Sequence, residues 1–285
     1  MGVLAHAAVD ERPIGVFDSG LGGLTVLRAL VDLLPHESTL YFGDTGRFPY
    51  GPKPAEDVLK YSIEITDVLL AHDVKMIVVA CNSATSVALG ALQDRYEVPV
   101  IGVVEPGVRA AAVTTRSGRV GAIGTVGTIA SGAYQRAAAD VGIELTCAAC
   151  PGFVEFVEAG DVDSDQLHVL AERLLSPLRA ADVDTLILGC THYPLLARAI
   201  GDAMGRDVVL VSSADETAFE ARRMLSDVPP EGTAAVQAHR SRSGVLGEQP
   251  VSRCFVTSGD VTTFRRLGAR FLGPEVEHVE AWRWS

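Results

Sequence analysis

The chain has 285 residues, 48% of them hydrophobic and 21% charged, enough to bury one large core or two modest α/β lobes. Its net charge of −12 argues against a nucleic-acid surface or an anionic membrane as the main partner. Five cysteines (Cys81, Cys147, Cys150, Cys190, Cys254) form an odd, sparse set that suits a reducing cytosol better than a disulfide framework. The start lacks the basic region of a signal peptide, and His6 stands where a myristoylation motif needs Ser or Thr. The longest uncharged run, 76–93, is interrupted by "CNSATS", so no membrane span is expected and a cytoplasmic location is.

Short runs rich in Val, Ile and Leu alternate with segments of helical period. "IGVFDSG" (14–20) predicts a strand ending in a glycine turn, and "LTVLRALVDLLP" (24–35) the helix after it. "STLYFGD" (38–44) predicts a second strand, "AEDVLKYSIEITDVLLAHD" (55–73) a long helix, and "VKMIVVA" (74–80) a third strand. "VPVIGVVEPG" (98–107) predicts a fourth. Apolar strands between helices point to parallel sheets covered on both faces.

The order then repeats. "RVGAIGTVGT" (119–128) resembles "PIGVFDSGLG" (13–22), and "IELTCAACPG" (143–152) falls where "TLYFGDTGRF" (39–48) did. A helix over 164–180 leads into "DTLILGCTHYP" (184–194). Ile14 to Cys81 is 67 positions and Val120 to Cys190 is 70, which predicts a duplicated α/β lobe. After "DVVLVSSADETAFEARRMLSD" (207–227), the segment 228–250 is rich in Pro, Gly, Ser and Arg and is expected to be an exposed loop. "SRCFVTSGD" (252–260) predicts a closing strand and "VTTFRRLGARFL" (261–272) a closing helix.

In open parallel sheets ligands bind beyond the carboxyl ends of strands. Asp18-Ser19, Asp44-Thr45, Cys81-Asn82-Ser83 and Cys190-Thr191-His192 all fall there, before helices whose first N–H groups are free to bind an anion. "DVKMIVVACNSAT" (73–85) aligns without a gap on "DVDTLILGCTHYP" (182–194), so Cys81 and Cys190 hold the same place in two units. A lone cysteine at a strand end is ordinarily a small buried hydrophobe. Two at equivalent points, each followed by hydroxyl or imidazole groups, favour reactive thiols instead. A helix N-terminus would bring a thiol pKa from about 8.5 toward neutrality. His192, an ordinary structural hydrogen-bonder elsewhere, becomes a proton partner for Cys190.

Other motifs are weaker. "CAAC" (147–150) is a lone CxxC without the second pair of a zinc ribbon. "GLGGLT" (20–25) has Thr25 where a dinucleotide fingerprint needs glycine. None of the three lysines, Lys53, Lys60 and Lys75, follows a strand as a Schiff-base lysine would, so pyridoxal phosphate is not expected. No Walker lysine or HExxH is present, and the expectation is a site with no cofactor and no metal.

"GVFDSGLGGLTV", "GDTGRFPYGPK", "ACNSAT", "GVVEPG", "GAIGTVGTIASGAYQ" and "LGCTHYPLL" together resemble the glutamate racemases of the cofactor-independent Asp/Glu racemase superfamily. The motifs run in family order from about residue 14 to 216, with Ser83 where many members have threonine. An excess of arginine over lysine resembles the composition of actinobacterial proteins. The resemblance implies two flavodoxin-like lobes about a pseudo-twofold axis, with the active site in the cleft between them. Residues 1–105 plus 213–285 would form the lobe carrying Cys81, and 106–212 the lobe carrying Cys190. It also implies a homodimer, glutamate as the small-molecule substrate, and D-glutamate supplied for peptidoglycan.

Racemisation removes the Cα proton from one face and returns a proton to the other, which two facing thiols accomplish if one is thiolate. By resemblance, Cys81 takes the proton from D-glutamate with help from Asp18, and Cys190 takes it from L-glutamate with help from His192. Asp18, Ser19, Tyr50, Gly51, Asn82, Ser83, Thr191 and His192 match the family's substrate-holding positions. Aspartate or hydantoin racemisation and malonate decarboxylation are the related alternatives. A metabolite-binding module with merely buried cysteines is the unrelated one.

Overall fold

The computed structural model describes residues 10–227 and 251–284, so the expected loop 228–250 lies outside the described residues. The chain runs β1 (Ile14–Asp18), α1 (Leu24–Leu33), β2 (Thr39–Gly43), α2 (Ala55–Ala71), β3 (Met76–Val79), α3 (Asn82–Arg95), β4 (Val100–Gly102) and α4 (Val104–Thr114). It continues through β5 (Arg119–Gly124), α5 (Val126–Ala130), α6 (Ala133–Val141), β6 (Glu144–Ala149), α7 (Phe153–Ala159) and α8 (Asp165–Ala180). Then come β7 (Thr185–Gly189), α9 (Ala197–Met204), β8 (Val209–Ser212), α10 (Ser213–Asp227), β9 (Arg253–Thr257), α11 (Val261–Leu272) and β10 (Val279–Ala281).

The strands form two sheets, ordered β10-β9-β2-β1-β3-β4 and β6-β5-β7-β8. Every pairing is parallel. The α/β architecture of two parallel-sheet lobes is the one expected from sequence. The order β2-β1-β3-β4 recurs as β6-β5-β7-β8, and the register recurs with it. Ile14 lies opposite Thr39 and Met76, and Val120 lies opposite Leu145 and Thr185. Met76 and Thr185 are also matched by the gap-free alignment of 73–85 on 182–194, so strand register and sequence repeat agree. In the second strand the sequence match is two residues off: Leu145, not Ile143, corresponds to Thr39.

Alternate residues of a strand face opposite sides of its sheet. Val16 and Val78 pack with Leu27 of α1 and Ala218 of α10, whereas Phe17 and Ile77 pack with Ile65 of α2 and Ala88 of α3. In the smaller sheet Leu186 and Leu188 face α8 and α9, and Ile187 faces α4 and α6. Burial on both faces is why β1, β3 and β7 read as continuous apolar runs. The same alternation divides the CxxC pair: Cys147 packs on one face of this sheet and Cys150 on the other. Helix starts are fixed locally. Ser164 Oγ accepts the Leu167 N–H at 3.3 Å, and an Asp260 oxygen accepts that of Thr263 at 2.7 Å. Such caps contribute about 1 kcal/mol each.

Two elements depart from the sequence expectation. The strand expected over 98–107 stops at Gly102 and α4 begins at Val104. Pro106 falls in that helix's first turn, where a missing N–H costs no bond. The segment 119–128, matched in sequence to 13–22, forms β5 over its first six residues and then turns into α5 at Val126, capped by Thr125. The chain also adds β10 after the helix that sequence reading places last, a strand of three residues that is too short for periodicity to reveal. No helix among the described residues is long and apolar enough to cross a membrane.

Candidate active site

The polar residues that follow parallel strands collect at the strands' carboxyl ends. Asp18 is the last residue of β1, and Ser19–Gly23 turn from it into α1. Cys81 caps α3, its sulfur accepting the Ala84 N–H at 3.5 Å while the thiol donates to Ser19 Oγ at 3.7 Å. Cys190 follows β7 directly, and Pro194 lies at the start of a 3₁₀ turn, Tyr193–Leu196, that leads into α9. A second 3₁₀ turn, Thr45–Arg47, carries the chain from β2 to Phe48–Gly51.

These ends converge on one cavity. It is lined by Ser19, Tyr50, Gly51, Cys81, Asn82, Ser83, Cys190, Thr191 and His192, all picked out in the sequence. Asp18, fully buried, stands beside Cys81 but off the cavity wall. Phe48, Pro49, Thr125 and Val154 complete the lining and were missed. Thr125 was within reach of sequence reasoning, because the repeat places it where the first unit has Ser19. The cavity measures about 20 Å³, room for about one water. An amino acid enters only if the covering segments move.

The two lobes meet around it. Ser83 Oγ lies 3.0 Å from Thr125 Oγ1 and 3.1 Å from Thr128 Oγ1. Tyr134 donates its hydroxyl to Asn82 Oδ1 at 2.7 Å, and the Gly127 N–H donates to the Gly51 carbonyl at 3.0 Å. Gly22 passes so close to the other lobe that a Cβ there would stand 2.2 Å from Thr191 Oγ1 and 2.5 Å from His192 Nδ1. Only glycine lets the β1 loop approach the imidazole. Among the buried polar atoms without a hydrogen-bond partner, two belong to this site, Asp18 Oδ1 and Asn82 Nδ2. Leaving such groups unpaired is costly, and a polar ligand entering the cavity could offer them partners.

The two thiols have different electrostatic neighbours. Burial pushes the Cys81 thiol up to about 12, and the charge of Asp18 adds to the rise, against the helix-end and Ser19 hydrogen bonds. The lowered thiol pKa expected at a helix N-terminus is therefore overturned for Cys81, because desolvation outweighs the α3 amide. Burial raises the Asp18 carboxyl as well, opposed by the charge of His192 and the amides of Gly23 and Gly20. Burial pulls the His192 imidazole down, but hydrogen bonds to Cys190 and Glu158 outweigh it and bring the group to about 10. Its Nε2 lies 2.8 Å from Glu158 Oε1, and its Nδ1 faces Cys190 Sγ at 3.9 Å. His192 is thus a cation at neutral pH with one N–H held by a carboxylate and the other aimed at sulfur. Glu158, on α7, has no signal in the sequence; a glutamate on a helix is unremarkable until the fold brings it to a buried histidine. A larger cavity of about 260 Å³ lies on the Glu158 side, lined by Val157, Leu195, Arg270 and Phe271, and contains neither thiol.

Residues 14–221 match the model of the Asp/Glu/hydantoin racemase family. The chain is 50% identical over 279 residues to a glutamate racemase of Beutenbergia cavernae, covering 95% of this chain and 93% of that one. The crystal structure of a glutamate racemase from Thermus thermophilus in complex with β-chloro-D-alanine is 44% identical, with a TM-score of 0.79 over 96% of this chain and 97% of that one. That of a glutamate racemase from Francisella tularensis in complex with D-glutamate is 32% identical, with a TM-score of 0.84 over 96% and 98%. On sequence and structure alike, the chain belongs to the Asp/Glu/hydantoin racemase family.

Proposed function

We propose that this chain interconverts L- and D-glutamate by moving the Cα proton between two thiols, without a cofactor, and supplies D-glutamate for peptidoglycan in the cytoplasm. The observation that carries the reading is the cavity itself: Cys81 and Cys190, from corresponding points of two repeated units, line one space. The glutamate racemases among the similar chains support the substrate. In the L-to-D direction the Cys190 thiolate takes the Cα proton and becomes a thiol. The Cys81 thiol gives its proton to the opposite face of the carbanion and becomes a thiolate. D-glutamate leaves, and exchange with solvent resets the pair; the reverse direction exchanges the roles.

The neighbours fit this division. A thiol kept protonated by burial and Asp18 is poised to donate, and an imidazolium beside Cys190 is a counter-charge and proton partner for its sulfur. Neutral donors, Ser19, Asn82, Ser83 and Thr191, with the amides at the start of α3, would hold the substrate's carboxylates. The test is formation of D-glutamate from L-glutamate by the purified chain without additions, read with a D-specific coupling enzyme. Racemisation of aspartate but not glutamate, or no racemisation by folded protein, would overturn the reading.

A further inference from the structure

The segment that covers the cavity is bound on its outer side to the end of the described chain. Asp44, fully buried just after β2, joins the two. Its Oδ1 accepts from Ser258 Oγ at 2.6 Å and from Trp284 Nε1 at 3.1 Å. Its Oδ2 accepts from Arg47 Nε at 2.7 Å and from the Tyr50 hydroxyl. The Arg47 guanidinium lies over the Trp284 ring at 3.7 Å and over the Tyr61 ring at 4.0 Å. Trp284 in turn packs on Phe42 and Trp282, and the backbone N–H of Trp282 donates to the Thr257 carbonyl at 2.7 Å. One carboxylate therefore ties an indole packed on β2 to a tyrosine in the cavity wall. Charge-assisted bonds of this kind, mutually polarised out of water, fix their members in one arrangement. From Tyr50 the chain runs on to Gly51, whose carbonyl takes the Gly127 amide of the other lobe.

We propose that Trp284 is a positioning residue for the active site: through Arg47 and Asp44 it holds Phe48–Gly51 over the two thiols. A purely structural Trp284 would instead only cover the face of the six-stranded sheet at Phe42. The two roles differ in what they protect. A positioning strap shields Cys81 and Cys190 selectively, whereas face cover stabilises the whole fold.

The experiment reads thiol access and not turnover, so its result is independent of whether glutamate is the substrate. Iodoacetamide labelling rates are measured peptide by peptide on the full chain. Cys150, 1% exposed in the core of the four-stranded sheet, serves as the internal reference. Trp284→Ala is expected to speed labelling of Cys81 and Cys190 about tenfold and leave Cys150 at its original rate. Trp284→Phe keeps a ring on Arg47 and should bring both rates back to within about threefold. If Trp284→Ala yields no soluble protein, Arg47→Lys gives the same comparison, since it keeps the charge beside Asp44 and loses the flat face on the indole. Unchanged rates at Cys81 and Cys190, or a Cys150 rate that rises in step with theirs, would overturn the proposal.

Discussion

Cys81 and Cys190 occupy corresponding points of two repeated units, but the groups beside them do not correspond. Asp18 and Ser19 attend Cys81, and the register puts Gly124 and Thr125 at those places in the second unit. His192, held by Glu158, attends Cys190, and the alignment puts Ser83 at that place in the first. The repeated units have kept two sulfurs in the lining of one cavity, while substitution has put an acid beside one and a cation beside the other. Racemisation needs a proton donor on one face and an acceptor on the other. Repetition of the fold supplies the two sulfur positions, and divergence at three matched positions, with Glu158 added, gives the two sulfurs unlike neighbours.

Removing either sulfur breaks the comparison most severely. Cys81→Ala and Cys190→Ala are each expected to lose racemisation by at least about 10³-fold. In D₂O, Cys81→Ala should still incorporate deuterium at Cα of L-glutamate without inverting it. Cys190→Ala should do so only with D-glutamate. Substantial inversion by either variant would mean that one base serves both faces.

The attendants come next. His192→Asn should lower kcat from L-glutamate by about 10² and affect D-glutamate less, and Asp18→Asn should show the opposite preference. The enantiomers have equal free energy, so kcat/KM must stay equal in the two directions and the Michaelis constants shift to compensate. Near-original rates both ways for His192→Asn would leave it a structural hydrogen-bonder.

How much of this was legible in the sequence follows from which interactions are local. The succession of strands along the chain, the repeat and both cysteines are carried by apolar runs and spacing, and the cavity gathers nine of the ten site residues that the sequence and its family resemblance indicate. Glu158 was invisible because its meaning arises from a contact 34 positions away. Phe48 and Val154 were missed since an apolar side chain in a wall looks like one in a core. The ionisation of Cys81 was misjudged because a helix end is readable from sequence and complete burial is not.

Glu158 gives the comparison its pH dependence. His192 stands at about 10 in the folded chain against an ordinary 6.5, so its stabilisation is complete below pH 6.5 and is lost as pH rises toward 10. Glu158→Gln removes one of the partners responsible. The basic limb of the pH–kcat profile should move down by about one unit, and the melting temperature should fall less steeply over the same interval. Coincident profiles for the variant and the unaltered chain would show that Glu158 does not hold the imidazole's charge.

The smallest expected effect lies at Ser83, the counterpart of His192. Its hydroxyl closes a triangle with Thr125 and Thr128, whose own Oγ1 atoms are 2.9 Å apart. All three members are hydroxyls that both donate and accept, so the ring carries no net charge and cannot substitute for an imidazolium. Ser83→Thr keeps the hydroxyl and adds one methyl at a position 6% exposed. Wall side chains packed this closely give way by small rotations, and KM for each enantiomer should change by less than about threefold with kcat unaltered. Ser83→His would test the comparison from the other side. It places an imidazole where the repeat has one, but among the described residues Ser83 is hydrogen-bonded to Thr125 and Thr128 and to no carboxylate, so it should leave the unequal kcat values of the His192→Asn variant uncorrected. A Ser83→His chain that corrected them would show that the imidazole alone, without its carboxylate, decides which thiol is the base.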